Sequence, residues 1–442
     1  PLTEDPGWTQ PPRDPAAEMA LRAAFFETLS QAERFDFAVN YQRLAVIFDS
    51  TGRIAEHYST KPRPWLEGAS LETLSELLDP GNTAKLRDAF QAAPGFVSLM
   101  LHTDKGDTAG ETYVYPLSGA PETRTLVLFP DPAPIMDEVP ADSLWELPFF
   151  VYKKHVKRTD SRFSLNNAGF RDDDIVFPKP AGRFRVVCVG GSTTEEGDAN
   201  ALSYPNLLEK HLRERFGPRF EAINCGISGI TAIRERLRTP DYLGLEPDLI
   251  VYYNGANDIC HLHLRRWVEH ASPLAKILRS SAFINYTFNA WFFPNDAGMR
   301  TALDETLAPL RRLAQSAKEH GIPIAFCSFA RPNIANLPPV ERAYFDWDNA
   351  NDWGGKYATF ATYCRMVDHY NACLRALCDE TGARYIPVAE TLTGGAEYFG
   401  DVCHMKNPGI ERKADIVFDA VATMPEILFV AAQSETPPSQ PK

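Results

Sequence analysis

From residue 183 onward the chain alternates short apolar runs with longer amphipathic stretches, and this rhythm restricts the fold more than any other feature. The run at 184–189 is apolar at every position but Arg185, without polar alternation, as a strand covered on both faces requires. Pro205, Leu207, Leu208, Leu212 and Phe216 follow at helical spacing until Gly217-Pro218 stops the pattern. The order then repeats. Strands are expected around 222–224, 249–253, 324–329 and 385–388, and helices at 232–237, 303–317 and 410–421. A longer helix carries Phe360, Tyr363, Val367, Tyr370, Leu374 and Leu377 and ends at Gly382. The expected architecture is α/β, a doubly wound parallel sheet of five strands.

The first part of the chain reads differently. Asp14-Pro15 supplies a cap and a first-turn proline, and Met19, Ala23, Phe26 and Leu29 continue at helical spacing, so one opening helix is expected. Strand, turn and strand follow over 44–48, Asp49-Ser50-Thr51-Gly52 and 53–55. Helical stretches at 70–78 and 83–92 and apolar runs at 96–101, 112–117 and 125–129 complete a small antiparallel α+β module. In element order and in that turn, residues 41–130 resemble a PAS-like sensor domain. The resemblance implies a scaffold that packs on its neighbour or forms a homodimer, or a module that binds a small ligand. The expected division is an arm and helix at 1–40, the PAS-like domain at 41–130, a connector at 131–182, the α/β domain at 183–430 and a disordered tail at 431–442. The connector is rich in proline and charge and holds the basic cluster at 153–158, read as a solvated face.

Charge and hydropathy narrow the partners. With 45 Lys+Arg against 58 Asp+Glu the net charge is -13, and no basic segment is long enough to follow a polyanion, so nucleic acid is not expected. The longest apolar runs fall well short of the roughly 20 residues of a membrane-spanning helix. No interfacial amphipathic helix is evident either, which favours a small substrate over bulk lipid. The eight cysteines, all from residue 188 onward, form no CxxC pair, and reduced, buried thiols are expected. The opening residues Pro1 to Pro6 show neither a basic nor an apolar leader segment. Together these features point to the cytoplasm.

In an open parallel sheet, chemistry gathers beyond the carboxyl ends of the strands. Three strands here run into Gly190-Gly191-Ser192-Thr193-Thr194, Asn224-Cys225-Gly226-Ile227-Ser228-Gly229 and Asn254-Gly255-Ala256-Asn257-Asp258. Glycines let backbone N–H groups approach a ligand, and Ser and Asn add a hydroxyl and an amide. The first cluster lacks the Lys and spacing of a P-loop and the GxGxxG of a dinucleotide site. A fourth cluster, Asp401-Val402-Cys403-His404, places a carboxylate three residues before an imidazole, so that one loop can hold a base in its working tautomer.

With four such clusters in this order, residues 183–424 resemble the SGNH/GDSL hydrolases. Their Gly-Asp-Ser block is represented by Gly190-Gly191-Ser192, their second block by Gly229, their Gly-x-Asn-Asp block by Gly255 to Asp258, and their Asp-x-x-His block by Asp401 to His404. Gly191 stands where the family usually has Asp, a variation of a divergent branch, whose lead-in is also resembled by Leu165 to Arg171. The resemblance implies a serine esterase acting through an acyl-enzyme. Ser192 would be the nucleophile, His404 the base and Asp401 its orienter, with the Ser192 and Gly229 N–H groups and the Asn257 amide as oxyanion donors. It implies no cofactor and no metal, and a small-molecule ester as substrate. An acyltransferase and an inert hydrolase fold serving as a ligand sensor are the alternatives.

Other residues are open to several readings. Asp258 is expected to be structural, and Arg331 to form an ordinary ion pair. Asp258, Cys260, His261 and His263 are close enough in sequence to ligate a metal if the segment is extended. The aromatic segment Phe283, Tyr286, Phe288, Trp291, Phe292 and Phe293 is expected to wall an acyl pocket, cover Ser192, or pack on the N-terminal domain. The stretch from Tyr344 to Trp353 is expected to be a long specificity loop.

Overall fold

The computed structural model describes residues 14–41, 43–59, 63–103, 106–118, 123–130, 163–351 and 358–434, with short strands at 2–4, 145–146, 151–152 and 156–158. The opening helix is two helices, α1 (Pro15–Glu27) and α2 (Gln31–Tyr41). The chain turns at Ser30, whose N–H and hydroxyl both donate to the Glu33 carboxylate at 3.0 and 2.7 Å and so start the second helix. Strands β1 (Arg43–Phe48) and β2 (Ile54–Tyr58) precede α3 (Pro80–Ala92), and β3 (Gly95–Thr103), β4 (Gly106–Leu117) and β5 (Arg124–Pro130) follow it. The helix expected at 70–78 is a single 3-10 turn, Leu71–Thr73, because Ser70 and Thr73 cap each other instead of feeding a longer helix.

These strands form an antiparallel sheet in the order β2-β1-β5-β4-β3. Alternation along β1 explains its two cores. Ala45 and Ile47 face α1 and α2 with Phe26, Phe37 and Tyr41, while Leu44, Val46 and Phe48 face α3 with Leu86. The first of these cores also takes in Leu237 of the following domain. There the Tyr41 hydroxyl donates to the Leu237 carbonyl at 2.9 Å, and Arg22 pairs with Asp241 at 3.2 Å. The N-terminal module is thus packed on its neighbour by apolar and polar contacts together.

The second domain begins before its first strand. Phe163, Leu165, Phe170 and Ile175 are buried in its core, so the end of the stretch expected to be connector belongs to it. Its elements are β6 (Phe184–Gly190), α4 (Ser192–Glu195), α5 (Tyr204–Phe216), β7 (Phe220–Gly226), α6 (Ala232–Leu237), α7 (Thr239–Leu243) and β8 (Leu249–Tyr253). After the π-helical turn Asp258–Leu264 come α8 (Arg265–Glu269), α9 (Pro273–Arg279), α10 (Ala282–Thr287), α11 (Asp296–Glu319) and β9 (Ile324–Cys327). The chain ends through α12 (Pro339–Asn351), α13 (Phe360–Thr381), β10 (Arg384–Ile386), α14 (Val388–Thr391), α15 (Asn407–Val421) and α16 (Pro425–Ser434). The helix α16 runs past residue 431, where a disordered tail is expected, because Ile427 is buried and anchors its first turn.

The sheet is parallel throughout, in the order β7-β6-β8-β9-β10. Helix α5 packs against α15, while α11 packs against α6 and α13, giving the two helical layers of a doubly wound fold. Register sets the position of the site: Gly190 pairs with Gly226 on one side and Tyr253 on the other. The three polar clusters therefore leave the sheet at the same height. No described helix is long and apolar enough to cross a membrane.

Candidate active site

Ser192 opens α4, immediately after the sharp exit from β6. The exit needs glycine at 191 for a specific reason: a Cβ there would lie 2.8 Å from Asn254 Oδ1 and 3.2 Å from Asn257 Nδ2. Asn254 thus fills the space that a side chain at 191 would need, which accounts physically for the departure from Gly-Asp-Ser. Asn254 is itself fixed, donating to the Ile230 carbonyl at 3.1 Å and to Glu235 at 3.0 Å. Burial pushes the Glu235 carboxyl up to about 8, so it is largely protonated at neutral pH.

His404 closes the site from the other side. Its Nε2 lies 2.7 Å from Ser192 Oγ, and its Nδ1 lies 2.7 Å from Asp401 Oδ2. The second carboxylate oxygen, Oδ1, accepts the backbone N–H groups of Cys403 and His404 at 2.7 and 2.6 Å. The local turn expected from Asp-x-x-His therefore forms, and it fixes both the carboxylate and the ring. Burial alone would lower the His404 pKa. The hydrogen bond and charge of Asp401, with Glu196 behind them, raise it above the 6.5 of a free imidazole. Burial likewise opposes ionisation of Asp401, yet its bonds to His404 hold it below the usual carboxylate value.

Asp401, Cys403 and His404 place one donor atom each within 4.8 Å of one another, a spacing that a metal could use. Both ring nitrogens of His404 are engaged, however, and burial with the Asp401 charge pushes the Cys403 thiol well up.

Gly229 has φ +76°, a conformation that favours glycine, and the Asn257 amide donates to the Ile230 carbonyl at 3.0 Å. Among the described residues, the N–H groups of Ser192 and Gly229 have no hydrogen-bond partner, and one Asn257 amide hydrogen is left over. Asp258 is structural, as expected: fully buried, it accepts the Ala232 N–H and holds the start of α6. Arg331 forms the expected ion pair, with Asp368 at 2.6 Å.

Three expectations change. The segment Asp258–Leu264 is a π-helical turn, so the alternation that would align His261 with His263 is lost, and His263 Nε2 instead meets Thr306 Oγ1 at 2.6 Å. The stretch from Tyr344 begins inside α12, a helix and not a loop; residues 352–357 lie outside the described ones. Of the aromatic segment only Phe293 is buried, while Phe283, Tyr286 and Trp291 are exposed, too open to solvent for the packed patch that was one of the readings.

Sequence reading missed the braces around the nucleophile. Arg171 donates to the carbonyls of Glu195 and Gly197, both at 2.7 Å, and so caps the end of α4. It lies in the lead-in segment singled out above, which was the available signal. Glu196 and Lys413 form an ion pair at 2.6 Å, with side chains 7% and 0% exposed. Glu196 also accepts the Met405 N–H at 2.8 Å, and Lys413 donates to the Thr193 carbonyl at 2.6 Å. The pair thereby ties the nucleophile turn to the histidine loop. Lys413→Met is expected to cost about 3–5 kcal/mol, because it leaves a buried carboxylate unpaired. Denaturant midpoints check this, and the double variant Glu196→Gln/Lys413→Met should recover most of the loss.

A parallel α/β sheet with a serine, a histidine and a carboxylate in one hydrogen-bonded line at its carboxyl edge defines an α/β hydrolase of the SGNH kind. The GDSL-like lipase/acylhydrolase family matches residues 188–409, half of the chain. The chain belongs to that family and is an ester-acting hydrolytic enzyme. Solved structures similar to it include a lipolytic protein of the G-D-S-L family from Desulfitobacterium hafniense, at 11% identity and TM-score 0.34, covering 54% of this chain and 99% of that one. The acetyl xylan esterase AlAXEase is 19% identical, with TM-score 0.35 and coverage of 54% and 100%. The lipase/acylhydrolase from Enterococcus faecalis is 14% identical, with TM-score 0.34 and coverage of 54% and 95%. No curated protein matches the chain.

Proposed function

We propose that the protein is a serine esterase that hydrolyses a carboxylic ester of a small or sugar-like alcohol through an acyl-enzyme. The observation that carries this reading is the unbroken line from Asp401 to His404 to Ser192, with both contacts at 2.7 Å. A serine hydroxyl is a poor nucleophile at neutral pH and needs a base within this reach. His404 takes the Ser192 proton as Oγ attacks the ester carbonyl, and Asp401 stabilises the imidazolium. The Ser192 and Gly229 N–H groups and the Asn257 amide receive the developing oxyanion. His404 then protonates the leaving alcohol, and a water activated by the same ring releases the acid.

Support for a hydroxyl-rich leaving group comes from a cavity of about 290 Å³ lined by Asn333, Asn336, Glu341, Thr393 and Glu397 among others, the last two on the segment that leads in sequence to Asp401. In the same reading residues 41–130 are a PAS-like module, supported by a separate antiparallel sheet with its own helices. The test is product analysis with p-nitrophenyl acetate and an acetylated sugar, with and without an added alcohol. Free acid should dominate; transfer of most acyl groups to the alcohol would make the enzyme an acyltransferase. In this assay Asn257→Ala should lower kcat by about 10²–10³-fold with little change in KM, the loss of one oxyanion donor.

A further inference from the structure

The proposed oxyanion donors, the Ser192 and Gly229 N–H groups and the Asn257 amide, lead back to one buried side chain, that of Asn254. Asn254 Nδ2 and Asn257 Nδ2 donate to the same acceptor, the Ile230 carbonyl, at 3.1 and 3.0 Å, and Ile230 follows Gly229 directly in the chain. Asn254 Oδ1 accepts the Gly255 N–H at 2.8 Å and lies over Gly191, beside the nucleophile. The second hydrogen of the Asn254 amide goes to Glu235 Oε1 at 3.0 Å. Asn254 therefore touches the segments that carry all the donors, and Glu235 fixes the rotation of its amide.

Glu235, on α6, is fully buried, as are Tyr252 of β8 and Tyr370 of α13. Its Oε2 meets the Tyr252 hydroxyl, which also interacts with the Tyr370 hydroxyl, and Tyr370 donates to the Asn254 carbonyl at 2.8 Å. The three side chains thus close a ring of hydrogen bonds on Asn254 and grip both its amide and its carbonyl. A proton on Glu235 Oε2 lets the ring run in one direction, Glu235 to Tyr252, Tyr252 to Tyr370 and Tyr370 to Asn254. The surrounding charges favour the same form. The Asp258 carboxyl of the π-helical turn and Tyr242 of α7 bear on Glu235, and neither is a cation. The cations of α6 itself look elsewhere: Arg234 toward Asp36, and Arg236 toward Glu33 and the Phe25 ring of the N-terminal module and Arg312 of α11. An ionised Glu235 would stand unpaired behind the place where the oxyanion forms.

We propose that Glu235 is a positioning residue for the oxyanion hole: it holds the Asn254 amide, and through it Gly191, Ile230 and Asn257, in the arrangement that the developing oxyanion requires. Glu235 touches neither substrate nor reacting atoms and acts through Asn254. The proposal rests on the acyl-enzyme reading, because the donors it serves belong to that mechanism. Burial pushes the Glu235 carboxyl up to about 8, and the charge formed there opposes the oxyanion, so kcat/KM should fall as pH rises through that value.

Kinetics of Glu235→Gln and Glu235→Leu on a water-soluble acetate ester test it, with Ser192→Ala beside them. Glu235→Gln can accept from Asn254 and donate to Tyr252 as the neutral acid does, so it should lose no more than about threefold in kcat. Its kcat/KM profile should also lose the alkaline limb, up to about pH 10. Glu235→Leu leaves an Asn254 amide hydrogen without an acceptor, and kcat should fall by about tenfold or more while KM changes less than about threefold. Wild-type kcat in Glu235→Leu, or a loss in Glu235→Gln as large as in Glu235→Leu, would overturn the proposal. So would an alkaline limb unmoved in Glu235→Gln, which would belong to Asp258; if Glu235→Leu does not fold, this profile decides alone. Substantial turnover in Ser192→Ala would instead strike the acyl-enzyme reading itself.

Discussion

Ser192→Ala is expected to reduce kcat on a soluble ester by about 10⁶-fold, to the residue of catalysis that donors and binding supply without a nucleophile. The size follows from the geometry. Ser192 Oγ is the group on which His404 Nε2 acts, and without it the imidazole has no hydroxyl to deprotonate. His404→Ala should cost nearly as much, and the double variant no more than either alone, because the two residues act as one unit. A fluorophosphonate probe should label the wild-type protein on the peptide carrying Ser192 and leave Ser192→Ala unlabelled. Substantial turnover in Ser192→Ala would sink the proposed mechanism.

What could be read from the sequence follows a physical rule. The strands β6, β7 and β8 were legible because both faces are covered, so their side chains are apolar without alternation. Their loops were legible because a parallel sheet brings strand ends to one level, as Gly190, Gly226 and Tyr253 show. The Asp-x-x-His turn is local, and local geometry survives in sequence. The ion pair of Glu196 and Lys413 is neither local nor marked, since two charged residues far apart in the chain read as surface until the fold buries them. The same holds for Asn254, which looked like one more polar residue of its block and proves to fill the space above Gly191. Exposed aromatics fail in the opposite sense. Phe283 and Trp291 read as pocket or core because sequence hydropathy carries no information on which side of a short helix meets solvent.

Asp401→Asn is the sharper probe of how the base is tuned, with an expected fall of about 10⁴-fold in kcat. Asparagine can keep the two backbone bonds, because Oδ1 still accepts from Cys403 and His404, so the loop should retain its shape. What changes is the atom facing Nδ1. An amide N–H there donates to the ring and drives the imidazole proton to Nε2, where it blocks transfer from Ser192. The pH profile gives an independent readout. Only neutral His404 can act as base, so kcat/KM rises with pH through its ionisation in the free enzyme. Because the Asp401 interactions raise that pKa against the effect of burial, the wild-type acid limb should lie above 6.5. Removing the carboxylate charge leaves burial to dominate, so the limb of Asp401→Asn should move to lower pH even as the plateau falls. The measurement is kcat/KM between about pH 5 and pH 9 for both proteins. A limb that stays in place would mean that Asp401 orients the ring without setting its basicity, and would transfer that role to Glu196, the other carboxylate whose charge raises His404.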